Sequence, residues 1–322
     1  MRRIRFGATA ERSGRQMGET VMSINAAVSP VTGAVKRTAQ QTQALEQLFC
    51  RIGEVSSLPG SAVRIIQIAN DEKCGASDLI ETVESDPSLA VRVLRTVNST
   101  FYSVRNRVGN LKTAVTLLGL KEVRNLALTV HVSRMFVAPG DYRTYRRESL
   151  WRHLVSVAAV SRLVAEVCDA APRDDAYVAG LLHDIGLILL DQHMRRHFKE
   201  VLDTLEQYPS TITAERAVLS FHHGELGQFV TRKWSLSDAI SAAAGYHHEP
   251  ERYTGPHRNM VNLTAVANYL CTRNDISSLG VKNVEPPPDR CYRELGIHAD
   301  HMATILERLG ETLEGAAQAA AM

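Results

Sequence analysis

Three features are scarce in this sequence, and each absence argues against a class of protein. Its 322 residues contain five scattered cysteines and no Cys-x-x-Cys pair, which argues against a disulfide framework and a cysteine zinc site. No apolar run reaches the roughly 18 to 20 residues that a membrane helix needs. The formal net charge of +2 is too small to require nucleic acid as a partner. We therefore expect a cytoplasmic protein that neither spans a membrane nor depends on nucleic acid.

The first 42 residues differ in composition from the rest of the chain. Their basic residues outnumber two acidic ones, Glu11 and Glu19, and are Arg2, Arg3, Arg5, Arg12, Arg15, Lys36 and Arg37. Large apolar residues are few and no helical period is sustained, which predicts a disordered basic tail over residues 1–42. A transit segment and a basic arm for an anionic partner are the alternative interpretations.

From about residue 43 the apolar residues recur three and four positions apart, which predicts an all-α fold. Residues 43–140 are expected to form an N-terminal helical lobe. Within it, Pro87 marks the start of a helix with Ser85 or Asp86 as its N-cap, and Gly119 separates two further helices. The turn-rich segment "APGDY", residues 138–142, is a natural boundary between this lobe and the next.

Amphipathic helices continue over residues 141–275 and predict a second helical lobe. Pro286, Pro287 and Pro288 cannot continue a helix, so residues 276–322 are expected to form a proline-rich loop followed by a C-terminal helix. Together these patterns predict a two-lobe helical bundle.

Histidines of the second lobe recur on successive predicted helices. They stand at His153, at His183 beside Asp184 in "GLLHDIG", at His222 and His223, and at His247 and His248. Imidazoles together with a carboxylate suit a divalent transition metal such as Fe, Mn or Zn, and facing helices of a bundle can bring them together. Alternatively, these side chains satisfy one another by hydrogen bonds inside a helical core that holds no metal.

The motifs resemble a known family. The segments "WRHLVSVA", "AYVAGLLHDIG" and "GYHHEP" are similar to successive helices of the HD superfamily, whose founding members are metal-dependent phosphohydrolases. The segments "LPGSAVRIIQIAN", "DPSLAVRVLRTVNSTFY" and "LKTAVTLLGL" closely resemble the N-terminal half of the HDOD (HD-related output domain) family. The likeness runs from about residue 45 to residue 275, and it implies an all-α protein with a C-terminal HD-type helical core.

The resemblance also implies roles for individual residues. By motif position it carries metal-ligand roles onto His153, His183, Asp184, His223, His247 and His248, with Asn268 where the superfamily usually has an aspartate. His223 is preferred to His222 because it directly precedes "GELG". If the protein is an enzyme, Asp184 would be its catalytic residue, bridging two metal ions or accepting a proton from water.

Three departures from the superfamily pattern weaken an enzymatic interpretation. Asn268 is neutral, Leu187 replaces the lysine of HDIGK, and "YHHEP" runs into "ERYTGP" without the glycine-rich motif of cyclic-dinucleotide phosphodiesterases. Hydrolysis of cyclic-di-GMP is therefore disfavoured. The resemblance implies a bacterial signalling or regulatory module that acts through a signalling protein partner. A metal-dependent phosphohydrolase of a nucleotide or phosphodiester is the alternative, and a domain that senses a metal or nucleotide without hydrolysis is a third hypothesis.

Overall fold

The computed structural model describes residues 38–55, 60–70, 74–98, 107–138, 140–281 and 284–321. Within these ranges the protein is all-α and contains no β-strand, which confirms the predicted fold class. Most of the basic tail predicted for residues 1–42 lies outside the described residues. None of the helices in the described ranges is both long and apolar enough to cross a membrane.

The first part of the chain forms a small helical lobe preceded by one separate helix. The helices up to the lobe boundary are α1 (Ala39–Val55), α2 (Gly60–Asn70), α3 (Ala76–Glu84), α4 (Pro87–Val97), α5 (Leu111–Leu118) and α6 (Leu120–Ser133). Helix α4 begins as predicted, because Asp86 is its N-cap and accepts a hydrogen bond from the Leu89 N–H at 3.1 Å. Gly119 separates α5 from α6 with φ +85°, a left-handed conformation that favours glycine.

The HD lobe is built from longer and more deeply buried helices. Its helices are α7 (Arg147–Cys168), α8 (Arg173–Leu182), α9 (Ile185–His193), α10 (Arg195–Thr204), α11 (Thr211–Leu219), α12 (His223–Lys233), α13 (Asp238–Tyr246) and α14 (Arg258–Arg273). Two helices follow the proline-rich segment, α15 (Asp289–Glu294) and α16 (Ala299–Ala320). Helix α7 is the centre of this lobe, since α8, α14 and α16 all pack against it.

The two ends of the described chain pack on the HD lobe. Helix α1 begins at Ala39, four residues before the predicted start, because Thr38 and Gln41 cap its first turn reciprocally. Its Phe49 ring contacts Phe221 and Phe229, with ring centroids 4.9 and 5.6 Å apart. Helix α1 was predicted to belong to the N-terminal lobe, and α16 was predicted to follow the second lobe. Both helices pack on the HD lobe.

A buried carboxylate anchors the linker between the lobes. Asp191 on α9 is 1% exposed and pairs with Arg147, at the start of α7, and with Arg195. These arginines also donate to linker carbonyls: Arg147 to Ala138 at 2.7 Å and Arg195 to Gly140 at 2.6 Å. The linker is thus fixed by charge-assisted hydrogen bonds to the HD lobe.

Candidate metal centre

His183 and Asp184 occupy the junction between two helices. Helix α8 ends at Leu182 and α9 begins at Ile185, so the pair caps both helices and points inward, with His183 fully buried and Asp184 1% exposed. The glycines on either side of this pair in "GLLHDIG", Gly180 and Gly186, stand where helices pack closely. A Cβ at Gly180 would lie 2.6 Å from the Val157 carbonyl, and one at Gly186 would overlap the carbonyl of His223. These glycines let α8 approach α7 and let α9 approach α12.

Two groups of side chains meet at Asp184. In the first group, His183 Nε2 lies 3.3 Å and His153 Nε2 lies 3.6 Å from Asp184 Oδ2, and the two Nε2 atoms are 3.2 Å apart. This group joins α7 to the α8–α9 junction. Its potential ligand atoms all lie within 4.8 Å of one another.

The second group lies on the other carboxylate oxygen. His223 Nε2 and His247 Nε2 are 3.0 and 3.2 Å from Asp184 Oδ1, and His248 completes a set whose potential ligand atoms lie within 4.8 Å of one another. These residues come from the start of α12 and from the end of α13. One carboxylate therefore sits between two histidine groups, an arrangement that suits one metal ion or two bridged ions.

Hydrogen bonds on the far side of each ring fix its orientation. Four of the rings place Nδ1 on a neighbouring acceptor: His153 on the Ile276 carbonyl (2.6 Å), His183 on Gly180 (2.7 Å), His223 on the Glu215 carboxylate (2.7 Å) and His247 on Ala244 (3.1 Å). Carbonyl and carboxylate oxygens only accept, so Nδ1 must carry the proton. In a neutral ring the lone pair is then on Nε2, facing Asp184.

The charges of the cluster respond to burial and to two carboxylates. Burial lowers the pKa of His153 and His247 to about 4, so both rings are neutral at pH 7. Burial also acts against protonation of His223, but Glu215 and Asp184 outweigh it and raise the pKa of His223 to about 10. For Asp184, burial raises the pKa while His183 and His223 lower it more, which leaves the pKa well below its ordinary value.

Sequence reasoning did not find Glu215. It is fully buried on α11, and its Oε2 also accepts a hydrogen bond from the His223 backbone N–H at 3.0 Å. Glu215 thus orients His223, as an outer carboxylate orients a metal-binding imidazole. Its place in "TAERAVL", eight residues before His223, gives no sign of burial, because an acidic residue in an amphipathic helix is ordinarily exposed.

The remaining sequence candidates take different positions. Asn268 on α14 is 5% exposed and lines a cavity with His247 and His248. Leu187 is fully buried in α9, so this position offers no cation to a phosphate. His222 is the N-cap of α12 and lines a separate cavity together with Glu225, whereas His223 faces Asp184.

A cavity of about 700 Å³ opens onto His247, His248 and Asn268. Its other walls are the start of α11, the Pro250–Arg252 turn and the segment from Val284 to Pro288. The cations of this cavity are Arg216 and Arg252, and both pair with Glu249.

The basic residues nearest the motifs in sequence lie elsewhere. Arg152 donates to the Asp275 carbonyl at 3.3 Å, Arg162 pairs with Glu122 at 2.7 Å, and Lys233 is 3.9 Å from Glu54. None of these three lines the cavity beside His247 and His248. The cavity therefore offers a phosphate only arginines that already have a carboxylate partner.

The donor set suits a divalent transition metal. Asp184 Oδ1 is buried and faces the Nε2 atoms of His223 and His247. Neutral His247 holds its proton on Nδ1, so His223, which its raised pKa keeps protonated, is the ring that can donate to this oxygen. A buried carboxylate is costly unless a positive charge compensates it, and either the proton on His223 or a metal cation can supply that charge here. The histidine and aspartate clusters can therefore hold a metal, and its identity is left open by the geometry.

The sequence and the structure are similar to those of known proteins. The HDOD domain family matches residues 55–250. The structure superimposes on a candidate signal transduction protein from Marinobacter aquaeolei VT8 with a TM-score of 0.72, at 25% identity, over 99% of this chain and 68% of that one. An HDOD domain protein of unknown function from Geobacter sulfurreducens has the same TM-score and identity, over 85% of this chain and 98% of that one.

More distant proteins share the fold. A candidate phosphohydrolase from Shewanella amazonensis SB2B has a TM-score of 0.67 at 19% identity, over 84% of this chain and 96% of that one. An uncharacterised protein of Treponema pallidum (strain Nichols) is 23% identical over 235 residues, 71% of this chain, and this chain spans 44% of that relative's length. Fold and site define an all-α protein of HD type. The chain belongs to the HDOD family.

Proposed function

We propose that this protein is a cytoplasmic bacterial regulatory protein that holds a divalent transition metal and acts through contacts with a signalling protein partner. The metal centre would comprise His153, His183, Asp184, His223, His247 and His248, with Asn268 at its edge. The observation that carries the metal proposal is the convergence of imidazole Nε2 atoms on both oxygens of one buried carboxylate. Such an imidazole-rich set favours Fe, Mn or Zn over Mg or Ca.

A regulatory role is supported by what surrounds the metal centre. Asn268 brings no charge to the cavity, and Arg216 and Arg252 already pair with Glu249. A hydrolase of phosphate esters needs cations free to stabilise the developing charge. The similarity to the Marinobacter protein, which is described as a candidate signal transduction protein, supports the same role. The proposal of a protein partner is based on membership of the HDOD family.

Metal analysis of the purified protein tests the proposal. Protein made without a histidine tag or chelator should contain a stoichiometric transition metal by inductively coupled plasma mass spectrometry. The double variant His183→Ala, Asp184→Ala should contain none. His131→Gln is the matched control, since His131 is a buried histidine outside the cluster. A protein that is metal-free as purified, and that takes up no added Mn²⁺, Fe²⁺ or Zn²⁺, would refute a metal-holding role.

A metal-dependent phosphohydrolase is the second candidate, and the cavity of about 700 Å³ beside His247, His248 and Asn268 is the observation that favours it. A bound dication would supply Lewis acidity towards a phosphate ester. Asp184 would hold the ion in place, and the cavity would admit a nucleotide. Metal-loaded protein should be tested on bis-p-nitrophenyl phosphate and on nucleotides. Turnover that disappears in the double variant would favour the enzyme, whereas nucleotide binding without turnover would favour a sensing role.

A further inference from the structure

A second cavity lies between the two lobes, away from the metal centre. Its volume is about 570 Å³, and helices α4 and α6 of the N-terminal lobe and α7 and α16 of the HD lobe form its walls. The floor is apolar and contains Leu126, Val130, Trp151, Val155, Leu163 and Ala316. Small-molecule sites in proteins have this size and this predominance of apolar side chains.

Four of the eight charged side chains that line this cavity form two ion pairs. Arg162 contacts Glu122 at 2.7 Å and Arg308 contacts Glu166 at 3.0 Å, so these four charges neutralise one another. They lie on α6, α7 and α16. An additional charged group on a ligand would therefore have to interact with another part of the wall.

Arg92 lines the cavity and lies outside these two ion pairs. It is half-buried on α4 and pairs with no carboxylate in the described part of the chain; its Nη1 atom reaches Ser133 Oγ at 3.4 Å. Arg95, one turn further along α4, adds a second guanidinium at the mouth. Glu148 and Glu311, on the opposite walls, are both exposed to solvent. The partly desolvated unpaired charge is thus positive, which favours an anionic group at this end.

We propose that the cavity between the lobes binds an amphipathic anion, a molecule with an apolar body and one carboxylate or phosphate group. The body would lie on the floor formed by Leu126, Trp151 and Val155, and the anionic group would pair with Arg92. The hydroxyls of Thr129 and Tyr177, 3.2 Å apart, add a polar contact deeper in the cavity.

Helix α7 links this cavity to the metal centre. Trp151, Val155 and Ala159 line the cavity, whereas His153 lies roughly 200° around the helix from Trp151 and faces Asp184. A ligand here would also contact both lobes at once. The idea that this ligand regulates the protein rests on the function proposed above. Binding of the ligand to the cavity does not.

Calorimetric titration of the full chain with decanoate and with decyl phosphate tests this proposal. We expect saturable binding at one molecule per chain, and at least tenfold weaker binding of decyltrimethylammonium, which carries the opposite charge. Preference between the two anions tells a carboxylate ligand from a phosphate ligand. Arg92→Gln should weaken binding of both anions about tenfold, because a charge-assisted hydrogen bond is lost. Arg64→Gln, an exposed arginine of the same lobe, should leave the affinity unchanged.

Filling the cavity provides the second readout. Ala159→Phe should abolish binding, and Thr312→Phe on the half-exposed face of α16 provides the same obstruction if the first variant does not fold. Three results would each overturn the proposal: absence of saturable binding by both anions, equal affinity for the cationic probe, or unchanged affinity in folded Arg92→Gln and Thr312→Phe. Metal content, measured on the same samples, reports separately on the metal centre.

Discussion

His131 in the N-terminal lobe and His153 in the HD lobe are both buried, and burial lowers the pKa of each ring to about 4. Their neighbours differ. His131 Nε2 lies 3.4 Å from Ser61 Oγ, with the charges of Arg134 and Asp86 nearby, whereas His153 meets His183 and Asp184. The comparison teaches that burial makes a histidine neutral, but only convergence with other ligands from separate helices makes it a candidate metal ligand.

Glycines of the two lobes also differ in the space around them. Gly180 and Gly186 of the HD lobe stand where helix backbones touch, so a side chain has no room there. Gly60 and Gly109 of the N-terminal lobe have open space around the position of a Cβ. The close backbone contacts at Gly180 and Gly186 thus lie where the cluster is assembled, and the following substitutions test this contrast.

Gly186→Ala should have the largest effect on stability. Its methyl group would overlap the His223 carbonyl and separate α9 from α12, which should lower the free energy of unfolding by about 3 kcal/mol or more. Gly60→Ala is the control and should change it by less than about 1 kcal/mol, in the stabilising direction. Urea unfolding measures both. Equal stability of Gly186→Ala and the wild-type protein would show that the helices do not need this close approach.

The pH dependence of stability should reveal His131. Burial, with a further contribution from Arg134, lowers its folded-state pKa to about 4, whereas the unfolded chain takes up this proton near pH 6.5. The unfolded state therefore binds more protons between these values, and the free energy of unfolding falls as the pH drops from 6.5 towards 4. The loss from this residue should reach about 2 kcal/mol at pH 5. His131→Gln should reduce the difference between unfolding curves at pH 7 and pH 5. An unchanged difference would assign it to other groups.

Glu215→Gln should weaken metal binding without removing it. The amide oxygen still accepts the hydrogen bond from His223, but the negative charge that supports the imidazole is lost. We expect an affinity 10 to 100 times lower in a chelator competition titration, on the order of other outer-carboxylate substitutions. Glu251→Gln removes an exposed carboxylate from the adjacent cavity and should change the affinity less than twofold. Equal effects of the two variants would deny Glu215 a specific role.

Asn268→Asp should have the smallest effect, and in the opposite direction. A carboxylate at this position would add negative charge beside His247 and His248, so metal affinity should rise several-fold. Asn274→Asp, at the exposed end of the same helix, is the control for charge alone. If both variants bind the metal as the wild-type protein does, Asn268 is not part of the metal centre.

The sequence predicted the helical fold and the side chains brought together around Asp184, because both depend on local or motif-level signals. Asp86 followed by Pro87 is a capping signal contained in adjacent residues, and "GLLHDIG" carries its glycines and its ligand candidates together. Glu215 was not predictable, because its burial depends on α11 meeting α12. Arg216 and Arg252 were also missed, since they line the cavity only where α11 and the Pro250–Arg252 turn meet in the folded protein.

The sequence by itself determined which segments are helices, where several of them begin, and which residues have the chemistry to bind a metal. Only the tertiary structure decided that α1 and α16 join the HD lobe, that four imidazoles present Nε2 to Asp184, and that a cavity lies between the lobes. The reason is one of range. Helical periodicity and caps act over a few residues, whereas His153 is oriented by the hydrogen bond that it donates to the Ile276 carbonyl, 123 residues away.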